Sequence, residues 1–315
     1  MIPMTSTTRQ NTQPFPFDLA DETAYLDWRQ HKLDGYPDRL EAFVVPISDP
    51  GSPSQTECDA IRQLCAKANM ALYRVDRSLG KHGALKLANL FGLNQLDVPL
   101  YTEEPGVTEI QNIDTGRQGE YAPYTDRSLS WHTDGYYNPS DKQVRGMVLH
   151  CERAATEGGV TALLDPEIAY IRLRDENPDY VAAMMDVDAL TIPENVEGGV
   201  LIRPAETGPV FSLIGNFLHM RFTARKRYIE WKPGNTLARA CDFLLALLDD
   251  PDGPVIRHRL SAGEGLISNN VLHTRTAFQD EAGDNAGDND GGGRLFLRAR
   301  FRDRVSGPNG EYENV

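Results

Sequence analysis

The chain has 315 residues, 40% of them hydrophobic and 25% charged, an ordinary composition for a folded chain with enough length to bury a substantial core. Its 46 acidic and 32 basic residues leave a net charge of −14. Such a surface repels phosphate backbones and anionic lipid, which sets aside nucleic acid and membranes as expected partners.

In chain order, residues 1–17 are polar and proline-containing, without the apolar stretch of a secretory signal. They read as a flexible tail ahead of one domain over residues 18–315, in a cytoplasmic protein, and no apolar run has the roughly 18 residues of a membrane span. Over residues 56–73, Cys58, Ile61, Cys65, Ala68 and Leu72 recur at steps of three and four, which predicts a helix. Cys58 and Cys65 share one face of it. No zinc spacing appears, so these two, with Cys151 and Cys241, read as reduced thiols. A second helix is expected over 81–91, stopped by Gly92.

From residue 144 the texture changes. Short β-branched and apolar runs alternate with glycine, proline and acidic turns. Strands are expected at 144–151, 160–164, 199–202, 210–214, 217–222, 255–260, 265–268 and 294–302, a pattern of sandwiches and barrels. Helices at 166–185 and 236–249 interrupt them. The later one aligns Leu237, Cys241, Leu244, Leu245 and Leu248 on one face, as a helix packed on a sheet does. The Asp/Asn/Ala/Gly stretch at 280–293 buries too little apolar surface to order itself and reads as a surface loop.

Chemistry concentrates in three places. Ser130-Trp131-His132-Thr133-Asp134-Gly135 offers an imidazole and a carboxylate from one strand end or turn. Asn269-Asn270-Val271-Leu272-His273-Thr274-Arg275 supplies a second histidine. Two histidines and one carboxylate form the facial triad that leaves open positions on iron(II); zinc accepts the same ligand types. Finally, strand alternation from Arg294 puts Arg294, Phe296, Arg298 and Arg300 on one face and Leu295, Leu297, Ala299 and Phe301 on the other. Guanidinium groups on a strand buried on both faces require anionic partners, and their planar fork suits a carboxylate.

In this order, Trp131-His132-Thr133-Asp134, Gly158-Gly159-Val160-Thr161, Gly265 with Asn270 and His273-Thr274-Arg275, and Arg294 followed four residues later by Arg298 resemble the taurine dioxygenase and clavaminate synthase-like group of iron(II)/2-oxoglutarate oxygenases. The resemblance spans roughly residues 79–302. It implies a mainly β fold with flanking helices, a double-stranded β-helix or jelly roll. It implies iron(II) on the catalytic residues His132, Asp134 and His273, with 2-oxoglutarate held by Arg294 and assisted by Thr161. It further implies that Arg298 meets the primary substrate, a small molecule bearing an anionic group. O2 would then oxidise that substrate, by hydroxylation in the default case, as 2-oxoglutarate is decarboxylated to succinate. Two features depart from the group. Ser268-Asn269-Asn270 stands where many members carry an Asp-Asn pair, and the acidic glycine-rich stretch lengthens the connection from His273 to Arg294. A zinc metallohydrolase and a non-catalytic metal-binding sensor on the same barrel are the alternatives.

The remaining histidines, His31, His82, His150, His219 and His258, read as structural or surface groups. His219 and Arg221 share a strand face and stay open as pocket residues, as do Arg275, Asn112, Tyr124 and Tyr136.

Overall fold

A capping box opens the first long helix, Gln55–Ala68. The Ser54 hydroxyl accepts from Glu57 N at 3.3 Å, and the Glu57 carboxylate accepts from Ser54 N at 2.7 Å. Cys58, Ile61, Cys65 and Ala68 are buried, as their spacing predicts. The expected continuation to Tyr73 does not form. Asn69 turns left-handed at φ 57°, and Met70–Arg74 is a strand. Four consecutive residues there are buried, which a strand inside a sheet allows and an amphipathic helix does not. Helix Gly80–Asn89 ends before Gly92, whose φ of 76° turns the chain. The helix expected at 166–185 is two, Pro166–Glu176 and Pro178–Met184. Asn177 is extended between them and caps the second through Asp179 N at 2.9 Å; an extended conformation is the one favoured before proline.

This computed structural model describes residues 15–98, 106–113, 121–225, 227, 229–280 and 293–306. They fall into two units, Met1–Tyr36 and Pro37–Val315. In the first, helix Glu22–Leu33 starts on the Asp21 carboxylate, which accepts from Ala24 N at 3.0 Å. Phe17 stands edge-on to Phe15 and Trp28, with centroids 5.8 and 4.9 Å away. The tail expected at 1–17 lies outside the described residues as far as position 14, and so does the surface loop over 281–292.

The second unit contains the eight strands expected from the sequence, several shortened at their ends, and others besides. A six-stranded sheet runs in the order Val44–Pro46, Met70–Arg74, Glu264–Ser268, Gly146–Arg153, Leu295–Phe301, Thr108–Ile110, antiparallel except for its first pair. A four-stranded antiparallel sheet runs Ile256–His258, Thr161–Leu164, Leu272–Arg275, Leu129–His132. These are the principal sheets of a jelly roll.

Alternation along Leu295–Phe301 divides core from site. Leu297, Ala299 and Phe301 join Val148 and Ile267 in a buried cluster with Ile61, Cys65 and Leu87 of the two helices and Phe91 just beyond the second. Full burial contributes about 1.5–3 kcal/mol for each large apolar side chain. Arg298 and Arg300 occupy the other parity. An amide hub ties the helix end to the sheets: Asn69 donates to the Asp165 carboxylate at 2.8 Å, Asn269 donates to Asn69 at 3.1 Å, and Arg304 donates to Asn69 at 2.8 Å. Asn269 thus serves the hub. Among the described residues, no helix is long and apolar enough to cross a membrane.

Candidate metal centre

Strands Leu129–His132 and Leu272–Arg275 are antiparallel neighbours, and their register sets His132 directly opposite His273. Directly opposed residues share a face of the sheet, and the two imidazole centroids are 4.3 Å apart. Asp134 follows just past the strand end. The chain is held there by Thr133, whose N–H donates to Phe222 O at 3.0 Å and whose hydroxyl accepts from Phe222 N at 3.1 Å. Gly135 then turns at φ 65°, where a Cβ would lie 2.5 Å from the Val144 side chain. The potential ligand atoms of His132, Asp134 and His273 lie within 4.8 Å of one another.

Hydrogen bonds fix the donor set. His132 Nδ1 faces Ser130 O at 2.8 Å, and His273 Nδ1 faces Val271 O at 2.9 Å. A carbonyl only accepts, so each Nδ1 carries the proton and each Nε2 keeps its lone pair. Burial, then the neighbouring His273, pushes the His132 pKa down to about 3; burial also lowers that of His273. Burial alone would raise Asp134, but Arg298, Arg300 and the two histidines outweigh it, so the carboxyl stays ionised. Its Oδ1 accepts from Arg298 Nη1 at 3.1 Å, while its Oδ2 is buried without a hydrogen-bond partner among the described residues. Two imidazole lone pairs and one free carboxylate oxygen are the ligands a divalent transition metal takes.

Asn270 holds this arrangement from behind. Its Oδ1 accepts from Asp134 N at 2.8 Å, and its Nδ2 donates to Asp134 O at 2.9 Å and Val144 O at 2.7 Å. It does so from a left-handed φ of 56°. The sequence shows Asn270 only as a letter of a motif. An asparagine just before a strand is the one hint of a left-handed, backbone-binding role.

A second locus lies two residues along the same sheet, where Thr161 pairs with Arg275 as Leu163 pairs with His273. Arg275 donates to Thr125 O at 2.8 Å and to Arg127 O, and its guanidinium lies 4.8 Å from the Phe278 ring centroid. Arg294 lies 5.0 Å from the same ring and 3.8 Å from that of Phe296. Burial and the Arg275 charge lower the Arg294 pKa to about 9. Arg294 Nη1 is buried and has no hydrogen-bond partner among the described residues. Both guanidinium groups thus lie against one aromatic ring, and a guanidinium fork is chemically matched to a carboxylate.

The other expected positions divide plainly. Arg298, expected at the substrate, places Nη1 on Asp134 and leaves a buried Nε without a partner among the described residues. Arg300 bonds Asp97 at 2.5 Å and the Tyr137 hydroxyl at 2.9 Å. Arg221 donates to the backbone carbonyls of Tyr136, Leu190, Gly208 and Glu206, and so fastens loops together. His219 is buried and neutral, its pKa pushed to about 3 by burial and by Arg304, Arg145 and Arg221. His150 meets the Tyr73 hydroxyl at 3.1 Å and His258 meets Glu264 at 2.7 Å, both away from the triad, while His31, His82 and Asn112 are exposed and Tyr124 is buried. Tyr136 stands edge-on to His132, centroids 6.3 Å apart.

Residues 33–299 match the model of the family described as "Taurine catabolism dioxygenase TauD, TfdA family". Two curated relatives are each a uridine-5'-phosphate dioxygenase. The one from Amycolatopsis sp is 33% identical over 48% of this chain and 55% of its own length; the one from Streptomyces sp is 30% identical over 61% and 71%. The match therefore spans little more than half of the first relative. Among solved structures, an asparagine oxygenase complex with Fe(II), hydroxyasparagine and succinate is similar at TM-score 0.56 and 18% identity, covering 78% of each chain. The non-haem iron oxygenase OrfP with Fe and alpha-ketoglutaric acid is similar at TM-score 0.56 and 17% identity, covering 79% of this chain and 80% of that one. These two likenesses concern the fold.

Proposed function

Because the chain belongs to the TauD/TfdA family of non-haem iron(II)/2-oxoglutarate dioxygenases, we propose that it oxidises, by hydroxylation, a small substrate bearing an anionic group, with 2-oxoglutarate decarboxylated to succinate. The observation that carries this reading is the donor set: two imidazoles whose Nδ1 protons are tied to carbonyls, and one buried carboxylate oxygen without a partner. Bound iron(II) and 2-oxoglutarate supply the activation of O2 and the two electrons that the protein's side chains cannot.

The chain's own residues bind, orient and balance charge. His132 and His273 offer Nε2, and Asp134 offers Oδ2. Arg298 holds Oδ1 and so fixes the tilt of the carboxylate. Arg294 Nη1 receives the far carboxylate of 2-oxoglutarate, with the Thr161 hydroxyl beside it on the Arg275 register position. Arg298 Nε, left over from the Asp134 pair, faces the anionic group of the substrate. A cytoplasmic location is part of the same proposal, in keeping with four cysteines that are free thiols.

Anaerobic titration with iron(II) and then 2-oxoglutarate, followed by oxygen consumption, tests the assignment. His273→Ala is expected to abolish 2-oxoglutarate-dependent oxygen uptake and weaken iron binding; normal turnover by that variant would remove His273 from the metal. Arg294→Ala is expected to weaken 2-oxoglutarate about 100-fold or more, because it strands a carboxylate in a buried seat. An unchanged 2-oxoglutarate dependence would remove Arg294 from it.

A further inference from the structure

Most guanidinium groups around the triad are already engaged. Arg221 and Arg275 serve backbone carbonyls, Arg300 serves Asp97 and Tyr137, and Arg298 shares its charge with Asp134. Arg225 differs. Thr223 bridges to His132 in antiparallel register, and Ala224 N donates to Trp131 O at 2.7 Å. Arg225 follows two residues beyond Thr223, and its own backbone N–H donates to the Thr223 hydroxyl at 3.4 Å. Its Nη1 donates to the Tyr136 hydroxyl at 3.3 Å, and the Tyr136 ring is the one that stands edge-on to His132. Arg225 is exposed and pairs with no carboxylate among the described residues.

We propose that Arg225 and Tyr136 form the seat for a phosphomonoester, and that the substrate is a nucleoside monophosphate bound with its phosphate beside His132. This rests on the dioxygenase reading above and narrows its substrate class. A phosphomonoester is close to a dianion at neutral pH, and Arg298, shared with Asp134, cannot balance two charges alone. A guanidinium fork matches two phosphate oxygens. Because the Tyr136 oxygen accepts from Arg225, its own proton is free to be donated to a third. Arg203, 5.9 Å from the adjoining Tyr137 ring and bonded to the Pro193 and Pro204 carbonyls, adds positive potential beside the two tyrosines. In a chain of net charge −14, cations gathered at one site mark where an anion is received. The two curated relatives that act on uridine 5'-phosphate supply the organic part of the class.

The test is calorimetric titration of the full chain, anaerobic and loaded with iron(II) and 2-oxoglutarate, with uridine 5'-monophosphate, uridine, and a panel of other nucleoside monophosphates. The expected result is that at least one monophosphate binds about tenfold or more tightly than its nucleoside. Arg225→Ala is expected to erase that difference while leaving nucleoside and 2-oxoglutarate affinities unchanged, and Arg225→Lys to recover part of it. The proposal is overturned if no monophosphate is preferred over its nucleoside, or if Arg225→Ala keeps the preference. Monophosphate binding that depends on Arg225 in a chain that fails to bind 2-oxoglutarate would sustain the phosphate seat and sink the dioxygenase reading instead. The two ideas therefore fail separately.

Discussion

Asn270 offers the metal no ligand atom, yet its three hydrogen bonds set the backbone from which Asp134 projects. Replacing such a support group costs 10–100-fold in metal affinity in comparable sites, and Asn270→Ala is expected to lower iron(II) affinity by about that factor. An alanine at φ 56° adds a conformational cost of about 1–2 kcal/mol. Asn270→Gly separates the two effects: it should fold more stably than the alanine variant and bind iron equally poorly. Iron affinity restored by glycine would show that strain, and not the lost clamp, was responsible. His219 gives a second prediction. Its folded pKa of about 3 lies below the ordinary 6.5, so between these values the unfolded chain binds the extra proton. Its share of stability is complete above about pH 6.5 and is lost as pH falls toward 3. Melting temperatures measured from pH 7 to pH 4 should fall less steeply in His219→Gln than in the parent chain. Identical slopes would mean that His219 is not held neutral.

Elements were legible where one periodicity ruled and illegible where two coincided. Leu72 sits four residues after Ala68 and extends a helical pattern, but it belongs to a buried strand, and nothing local in Met70–Arg74 distinguishes the two. The His132-Thr133-Asp134 pair and the arginine alternation could be read because both depend on residue identity and short spacing, while the distant His273 was legible as part of its own motif. The clamp by Asn270 and the bond from Arg298 to Asp134 could not, since each joins positions more than 130 residues apart through register. Gly158 shows how such register is enforced. At φ 72°, a Cβ there would lie 2.2 Å from Ala277 O, on the strand pair that carries Phe278 beneath Arg275 and Arg294. Gly158→Ala is expected to lose at least about 1–2 kcal/mol from backbone conformation. It should also weaken 2-oxoglutarate more than iron(II), read by denaturant unfolding and by titration. Loss of iron binding to the same extent would mean that the two loci move as one.

At the scale of the molecule, charge runs opposite to its average. The chain is strongly acidic, yet Arg298 holds the Asp134 carboxylate and Arg275 and Arg294 share the Phe278 ring. The arrangement around Phe278 has a thermodynamic consequence. In the proposed 2-oxoglutarate seat, two like charges on one ring, with Arg294 depressed to about 9, set repulsion and desolvation against folding in the absence of a dicarboxylate. The cosubstrate should therefore act as a folding ligand, adding about 2.7 kcal/mol at a hundredfold excess over its dissociation constant. Arg294→Met should melt higher than the parent chain in plain buffer and show no rise when 2-oxoglutarate is added. A parent chain indifferent to 2-oxoglutarate in thermal melts would refute this. If it holds, ligand-free fragility and affinity share one cause: a more robust empty enzyme could be made by one substitution, at the expense of its hold on the cosubstrate.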